Sequence, residues 1–536
     1  MSSASTKDEK IQEPTPADLN QSVSYSEGVV EAIDDSVVRD FYGASVSDSY
    51  RLKSELVGKH LEEIGMGRFQ WCLFLVGGFG WTADNFWSQG ISAVQPAMAL
   101  EFSDVTKRSY SSVAFYIGLI LGAYFWGTSA DFIGRRPAFN TTIMIGGIFA
   151  CAVAGAQNFV AFSAMWAVIG TAAGGNVPVD SMIFLEFVPE SHQWLLTALS
   201  AWWNFGQVVV SLIGWVFLAN YSCPSTSDYT TCSRKDNMGW RYTMITLGAL
   251  AMAFGFIRLF VFRMPESPRY LLSKGRDAEA VAAVNHIAKF NRKQPTLTLA
   301  MLENIDASLG RVSTDGDVKR GLSRREVIKE NLQDYKGVNY QRLFATKKFA
   351  LHTSLTWLIW LTIGIAYPLY FGFIPSYLEH KFNSVSTLHK TYRNYCIVSG
   401  VGAVGPITAG FFVETRFGRR WMMGISAALT GVFLFAYTSA TSETADLAFQ
   451  CVTGILGNFE YAIMYAFTPE SFPGPSRGTG TGTAATLLRF GGLCASLISA
   501  NVGFTTVPIY VSAALWICVG IACFGLPFET HGHAAV

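Results

Sequence analysis

The sequence predicts an all-α membrane protein, with twelve transmembrane helices in two pseudo-symmetric six-helix bundles. Three observations predict it. Half of the 536 residues are hydrophobic, only 15% are charged and mean hydropathy is +0.28, which is too apolar for a soluble chain of this length. From Phe69 onward long apolar runs alternate with short polar breaks, and about 20 residues suffice to cross a hydrocarbon core about 30 Å thick. The two halves of the apolar region also repeat each other at one fixed offset.

Before the first run, residues 1–64 are polar and Ser-rich without the apolar region of a signal peptide, so a mostly disordered tail is expected there. The twelve runs lie near 69–98, 110–132, 138–156, 161–187, 194–220, 241–262, 350–378, 392–413, 420–439, 446–467, 480–504 and 508–527. Arg135, Arg136, Arg263, Arg269, Lys274, Arg276, Arg416, Arg419, Arg420 and Arg477 all fall in even-to-odd breaks. By the positive-inside rule those breaks and both termini are cytoplasmic. The break at 263–349 is far longer than the rest and carries helical patterns, DAEAVAAVNHIAKF and SRREVIKENLQDY. It separates an N-terminal bundle, 65–262, from a C-terminal bundle, 350–527, with a short tail at 528–536.

The repeat rests on two motifs. GTSADFIGRR after run two is echoed by FFVETRFGRR before run nine, Gly134 and Gly418 being 284 residues apart, and the same offset carries EFVP at Glu186 onto ESFP at Glu470. A duplicated unit of this kind is how secondary transporters place a site between two moving bundles.

These motifs resemble those of the major facilitator superfamily, and of its sugar-porter-like group: GTSADFIGRRP, PESPRYLLSKGR at Pro265–Arg276 and PESFPGPSRGTGTG after run ten. GMGRFQW, WTAD and GGNVPVDSMIFLEFVP are more similar to the synaptic-vesicle-glycoprotein-related and bacterial niacin-transporter-like branch. The resemblance covers residues 65–527. It implies alternating-access transport, an inner gate built from the loop motifs, and proton coupling through an acid in the first helix.

For the gate, Gly134, Arg135 and Arg136 in the first half match Gly418, Arg419 and Arg420 in the second, Asp131 and Arg416 lie in the same two loop motifs, and Glu186 and Glu470 are the anionic partners able to take guanidinium forks. Phe132 stands where a basic residue is usual, and Gln193 occupies the position of Arg477. The first-half latch is therefore expected to be the weaker. The bland alternative is that these charges only anchor helix ends at the headgroups.

Four ionisable residues are read as lying well inside runs: Asp84, Asp180, Glu460 and Arg489. Each is costly in hydrocarbon and should face the bundle interior or a cavity. Arg489 and Glu460 are expected near the midplane, where Arg489 either pairs structurally with Glu460 or holds the carboxylate of a small organic anion. Asp84 is placed in the outer half of span one beside Trp81, Phe86 and Trp87; rings around a carboxylate oppose its charge, which suits a proton carrier. Asp180 is the competing proton site, and packing roles for both stay open. Asn176, Asn204, Gln207, Tyr367 and Tyr461 complete the expected substrate site, with Glu460.

Cys223 and Cys232 flank a polar stretch on the side opposite the arginines, where a disulfide is expected. No phosphate-binding loop, metal-spaced His or Cys cluster or nucleophile elbow is present in the sequence, so no cofactor, no bound metal and no enzymatic activity are expected. A net charge of +1 argues against nucleic acid as a partner. The expected function is transport of a small organic anion, a monocarboxylate such as nicotinate, with a proton, by a monomer in the plasma membrane. A sugar or polyol porter and a non-transporting sensor of the same fold are the alternatives.

Overall fold

The computed structural model describes residues 48–103, 110–129, 133–223, 227, 229–309, 338–371, 388–413, 415, 417–440, 442–473, 476–501 and 507–530. Its helices are α1 (Asp48–Ile64), α2 (Arg68–Ala99), α3 (Tyr110–Ser129), α4 (Arg135–Val153), α5 (Phe159–Ala173), α6 (Asn176–Phe187), α7 (Leu195–Leu199), α8 (Ala201–Phe217) and α9 (Gly239–Phe256, continued by a π-turn at Ile257–Val261). Then come α10 (Pro268–Ser273), α11 (Asp277–Phe290), α12 (Leu299–Ser308), α13 (Val338–Leu343) and α14 (Lys347–Phe371). The last are α15 (Leu388–Gly402), α16 (Val404–Phe412), α17 (Gly418–Tyr437), α18 (Glu443–Ser471), α19 (Arg477–Asn501) and α20 (Val507–Phe524).

Among the described residues nine helical spans are long and apolar enough to cross a membrane. The helices at the first, third and tenth positions, α2, α4 and α18, complete the predicted order. α2 and α18 carry buried polar residues, Asp84 and Asn85 in one, Asn458 and Glu460 in the other. Three spans are broken: the fourth into α5 and α6, the fifth into α7 and α8, and the eighth into α15 and α16.

Local chemistry sets the helix starts. Asn158 caps α5 by accepting from the Ala161 N–H at 2.7 Å, and Ser442 caps α18 by accepting from Ala445 at 3.2 Å. Pro268 sits in the first turn of α10 behind a Ser267 cap, a position where its missing N–H costs nothing.

The two halves meet most tightly where α3 crosses α19. A Cβ built on Gly127 would fall 2.5 Å from the Gly482 Cα, closer than any side chain allows. Small residues are what permit such backbone approach between membrane helices.

Residues 48–64, expected within the polar tail, instead form α1. It packs on α10, α11 and α12, which together make a cap on the end of the first bundle where α4 begins. That end is called the latch end below. The DAEAVAAVNHIAKF pattern is α11, with Asp277 and Glu279 in its first turn and Lys289 in its last, as the helix dipole favours. SRREVIKENLQDY lies outside the described residues. At the opposite end Cys223 and Cys232 are joined in a disulfide.

Candidate functional site

Asp84 stands at the middle of α2 and Arg489 at the middle of α19, so helices from opposite halves bring them to one depth. The Arg489 Nη2 lies 3.6 Å from Asp84 Oδ1. The other aspartate oxygen, Oδ2, accepts from Trp203 Nε1 at 3.2 Å. Arg489 Nη1 donates to the Tyr465 hydroxyl at 3.5 Å, and its Nε is buried without a hydrogen-bond partner among the described residues. A guanidinium has five N–H donors, and here the approaches to Asp84 and Tyr465 are both long for hydrogen bonds. Arg489 is thus a buried cation with donors to spare.

Aromatic rings wall this pair. Trp203 and Tyr461 face each other across the halves, nearly parallel at 8° with centroids 6.3 Å apart. Tyr367 stands steeply tilted to both, 6.2 Å from Trp203 and 5.2 Å from Tyr461. Trp81 and Trp360 set their edges against Tyr465 at 5.1 and 4.7 Å. Asn85 and Thr82 donate to the carbonyls of Trp203 and Trp202, which fixes α8 against α2.

Two expectations about this region are corrected. Asp84 is not in the outer half of its span but at mid-helix, because the 32-residue α2, Arg68–Ala99, is centred near residue 84. Glu460 is not the partner of Arg489. It is fully buried, and neither carboxylate oxygen has a hydrogen-bond partner among the described residues. Arg489 turns instead to α2, where an acid waits at its own depth.

The amides are buried. Asn176 has no hydrogen-bond partner on either side-chain atom, nor has Asn204 on Nδ2, among the described residues. Gln207 is buried one turn beyond Asn204. Asn458, which sequence reading did not single out, joins Asn204 around Gly402: a Cβ built on that glycine would meet Asn458 Nδ2 at 2.8 Å and Asn204 Nδ2 at 3.2 Å.

Asp180 has a partner that sequence reading missed. Arg258, in the π-turn ending span six, places Nη2 2.7 Å from Asp180 Oδ2 with both side chains fully buried. The same guanidinium donates to the carbonyls of Val76 at 2.9 Å and Phe139 at 2.8 Å and lies 3.8 Å over the Phe139 ring. It therefore ties the first, third and fourth spans to the sixth. Arg258 falls near the end of its apolar run, where a charge reads as one that snorkels to the headgroups.

At the latch end the repeated motifs build two matching pairs. Arg135 Nε lies 2.9 Å from Glu186 Oε2, and Arg419 Nε lies 2.9 Å from Glu470 Oε2, with Arg419 Nη2 donating to Oε1 at 3.1 Å. Gly134 and Gly418 take φ of +106° and +68°, which L side chains rarely adopt, so the chain turns into α4 and α17 only with glycine there. Arg477 is fully buried and reaches across the halves, Nη1 to Glu186 Oε1 at 3.7 Å. The first-half carboxylate holds an arginine from each half, whereas Gln193 leaves its buried Nε2 without a partner among the described residues. Arg136 is exposed, and Arg420 Nη1 turns to the Leu526 carbonyl at 2.6 Å. Asp131 and Arg416 lie outside the described residues.

Each half also has a capping carboxylate that was not foreseen. Glu266 accepts from the N–H groups of Arg135 at 3.0 Å and Arg136 at 3.4 Å, and Glu529 accepts from Arg419 and Arg420, both at 3.0 Å. Carboxylates at helix N-termini satisfy orphan donors and complement the dipole.

Comparison with known proteins agrees with this architecture. The Major Facilitator Superfamily model matches residues 71–389. The chain is 63% identical over 514 residues to the major facilitator-type transporter hxnZ of Emericella nidulans, covering 95% of this chain and 92% of that protein. It is 43% identical over 503 residues to MFS siderochrome iron transporter 1 of Ceriporiopsis subvermispora, covering 92% of this chain and 94% of that one. At 23% over 440 residues it is similar to the niacin transporter NiaP of Acinetobacter baylyi, covering 82% of this chain and 88% of that one. Among solved structures the proton:xylose symporter XylE shares the fold with a TM-score of 0.66 at 15% identity, covering 87% of this chain and 98% of that one. With its duplicated latch, its central site between two halves and these relatives, the chain is a multi-pass membrane transporter that belongs to the Major Facilitator Superfamily.

Proposed function

We propose that this transporter carries a small organic monoanion, nicotinate or a similar monocarboxylate, together with a proton. The observation that carries the reading is the under-bonded Arg489 paired across the halves with Asp84. With Asp84 charged, the pair is neutral and the guanidinium is occupied. A proton on Asp84 releases Arg489, and a substrate carboxylate then takes the vacated donors, bidentately, as planar guanidinium favours. Loaded and empty sites have the same net charge, so the proton and the anion travel together. The parallel Trp203 and Tyr461 rings with Tyr367 tilted against them suit a flat substrate ring. Similarity to a protein named as a niacin transporter supports the same substrate class.

In this reading the latch end is cytoplasmic, since the basic residues gather there, and the protein works as a monomer in the plasma membrane. Asp180, held by Arg258, serves structure, and Asp84 carries the proton.

The test is an uptake panel in cells expressing the full chain, with labelled nicotinate, short carboxylates, hexoses and a ferric siderochrome, at several external pH values. Accumulation of nicotinate or a short carboxylate that rises as external pH falls is the expected result. Accumulation of a hexose or of the siderochrome alone contradicts it, and no accumulation of any candidate leaves a sensor role.

A further inference from the structure

We propose that Asn204 of the first half and Asn458 of the second form a subsite for a hydrogen-bond acceptor on the substrate's ring, so that the transporter selects aromatic monocarboxylates with a ring nitrogen over those without one. This selectivity rests on Arg489 taking the carboxylate, as proposed above. Gly402 is where the two amides meet. α8 of the first half packs on α15 of the second, and Gly402 is the last residue of α15, at the break in the eighth span. Its backbone does not call for glycine, because it is not among the glycines with positive φ. Close helix packing does not call for it either. A Cβ built on Gly405, one turn on, would fall 2.4 Å from the Ile455 carbonyl oxygen, a backbone contact. On Gly402 it would instead meet Asn458 Nδ2 at 2.8 Å and Asn204 Nδ2 at 3.2 Å, and next the Gly454 carbonyl oxygen at 3.9 Å. What the missing side chain leaves room for is a pair of N–H donors.

Asn204 Nδ2 is buried with no hydrogen-bond partner among the described residues, a costly state unless something accepts from it. An amide nitrogen only donates, so two of them brought to one place from opposite halves suit an acceptor supplied by a ligand. The pair also lies in line with Arg489. On α18 Asn458, Tyr461 and Tyr465 are three and four residues apart and share one face. Tyr465 accepts from Arg489, Tyr461 faces Trp203, and Asn458 reaches Gly402. On α8 Trp203, which donates to Asp84, immediately precedes Asn204. From Asn458 to Tyr465 the helix rises about 10 Å, room for one six-membered ring with a hydrogen bond at each end. A carboxylate on Arg489 thus puts the ring beside Trp203 and Tyr461 and its far edge at the two amides. A pyridine-type nitrogen there accepts from them, whereas a C–H leaves both donors unpaired.

The test compares nicotinate with benzoate, which lacks only the ring nitrogen, in calorimetric titrations of the purified full-length transporter at pH 7. The wild type should bind nicotinate about tenfold more tightly. Asn204→Leu and Asn458→Leu should each lower nicotinate affinity about tenfold and leave benzoate affinity unchanged. Retained benzoate binding shows that a variant is folded, and the two positions guard each other against a failure to fold. Gly402→Ala should weaken nicotinate as well, since its methyl pushes both amides aside. Gly400→Ala, where a Cβ meets nothing within 4 Å, should change neither affinity. Equal binding of the two acids by the wild type overturns the subsite and leaves the anion reading in place, and so does a wild-type preference for nicotinate in both leucine variants. Binding of neither acid by the wild type overturns the anion reading itself, and the subsite with it.

Discussion

Arg477 of the second half and Glu186 of the first stand 3.7 Å apart with both side chains fully buried, the contact at which the duplicated latch crosses from one bundle to the other. Arg135 holds the same carboxylate from within its own half. Losing Arg477 therefore removes the charge that reaches Glu186 from the second half, whereas the first-half equivalent, Gln193, contributes no charge to lose.

Arg477→Ala is accordingly expected to impair transport far more than Gln193→Ala at matched surface expression. Uptake rates normalised to surface protein check this. Equal losses would show that the cross-half pair does not set the gate.

The fully buried Asp180–Arg258 pair is a structural tie between spans. Asp180→Asn leaves an arginine buried without its counter-ion, which typically costs about 3–5 kcal/mol. Thermal unfolding in detergent should show a large loss for Asp180→Asn. The double replacement Asp180→Leu with Arg258→Met should recover much of it, because no unpaired charge remains. Uptake per folded molecule should keep its dependence on the proton gradient in the double variant. If it does not, Asp180 takes part in coupling.

Beyond the end of α2, Glu101 takes both arms of the Arg241 fork at 2.7 Å and a bond from Trp240 Nε1 at 3.1 Å. Burial pushes this carboxyl up, but the bonds from Arg241, Trp240 and Asn237 outweigh it and hold it below its ordinary value of 4.5. A depressed acid adds stability that is present above the unfolded value and is lost as pH falls through the folded one. Melting temperature should thus hold through neutral pH and drop below pH 4.5, and Glu101→Gln should lower the neutral plateau and flatten the drop. An unchanged acid limb in Glu101→Gln would place the sensitivity elsewhere.

Arg489→Lys keeps a positive charge for Asp84 but cannot grip a carboxylate with two parallel donors. Loss of one such bond, about 1.4 kcal/mol, raises the apparent KM roughly tenfold. Initial uptake rates over a concentration series should show that rise with Vmax less affected, and Arg489→Ala should show no saturable uptake. Wild-type KM in Arg489→Lys would mean that substrate does not touch this residue.

How legible was this in the sequence? The latch pairs were, because Gly134 and Glu186 recur at the same offset as Gly418 and Glu470. The capping carboxylates Glu266 and Glu529 were not, since they do not share that offset, and a repeat read by one spacing passes over them. Arg258 was hidden by its place near a span end, where only the π-turn and the packing of four helices reveal that it points inward. The partner of Arg489 was misjudged because Asp84 was set too far toward the outer end of its span, whereas α2 is centred near it and places it at the depth of Arg489. Asn458 gave no signal of its own, since a lone amide in a span shows its neighbours, Gly402 and Asn204, only once the chain is folded.

The central claim is that Asp84 and Arg489 exchange their mutual pairing for a proton and a substrate carboxylate, and Asp84→Asn tests it most directly. An asparagine cannot release the proton, yet exchange of labelled for unlabelled substrate does not require its release. Uptake in vesicles containing the variant should therefore lose all concentrative accumulation under an inward proton gradient while keeping exchange. In the wild type a monoanion entering with one proton moves no net charge, so uptake should follow pH and ignore an imposed voltage, which would act on a net charge with about 2.3 kcal/mol per 100 mV. Accumulation by Asp84→Asn against the substrate gradient at the wild-type rate would contradict the account.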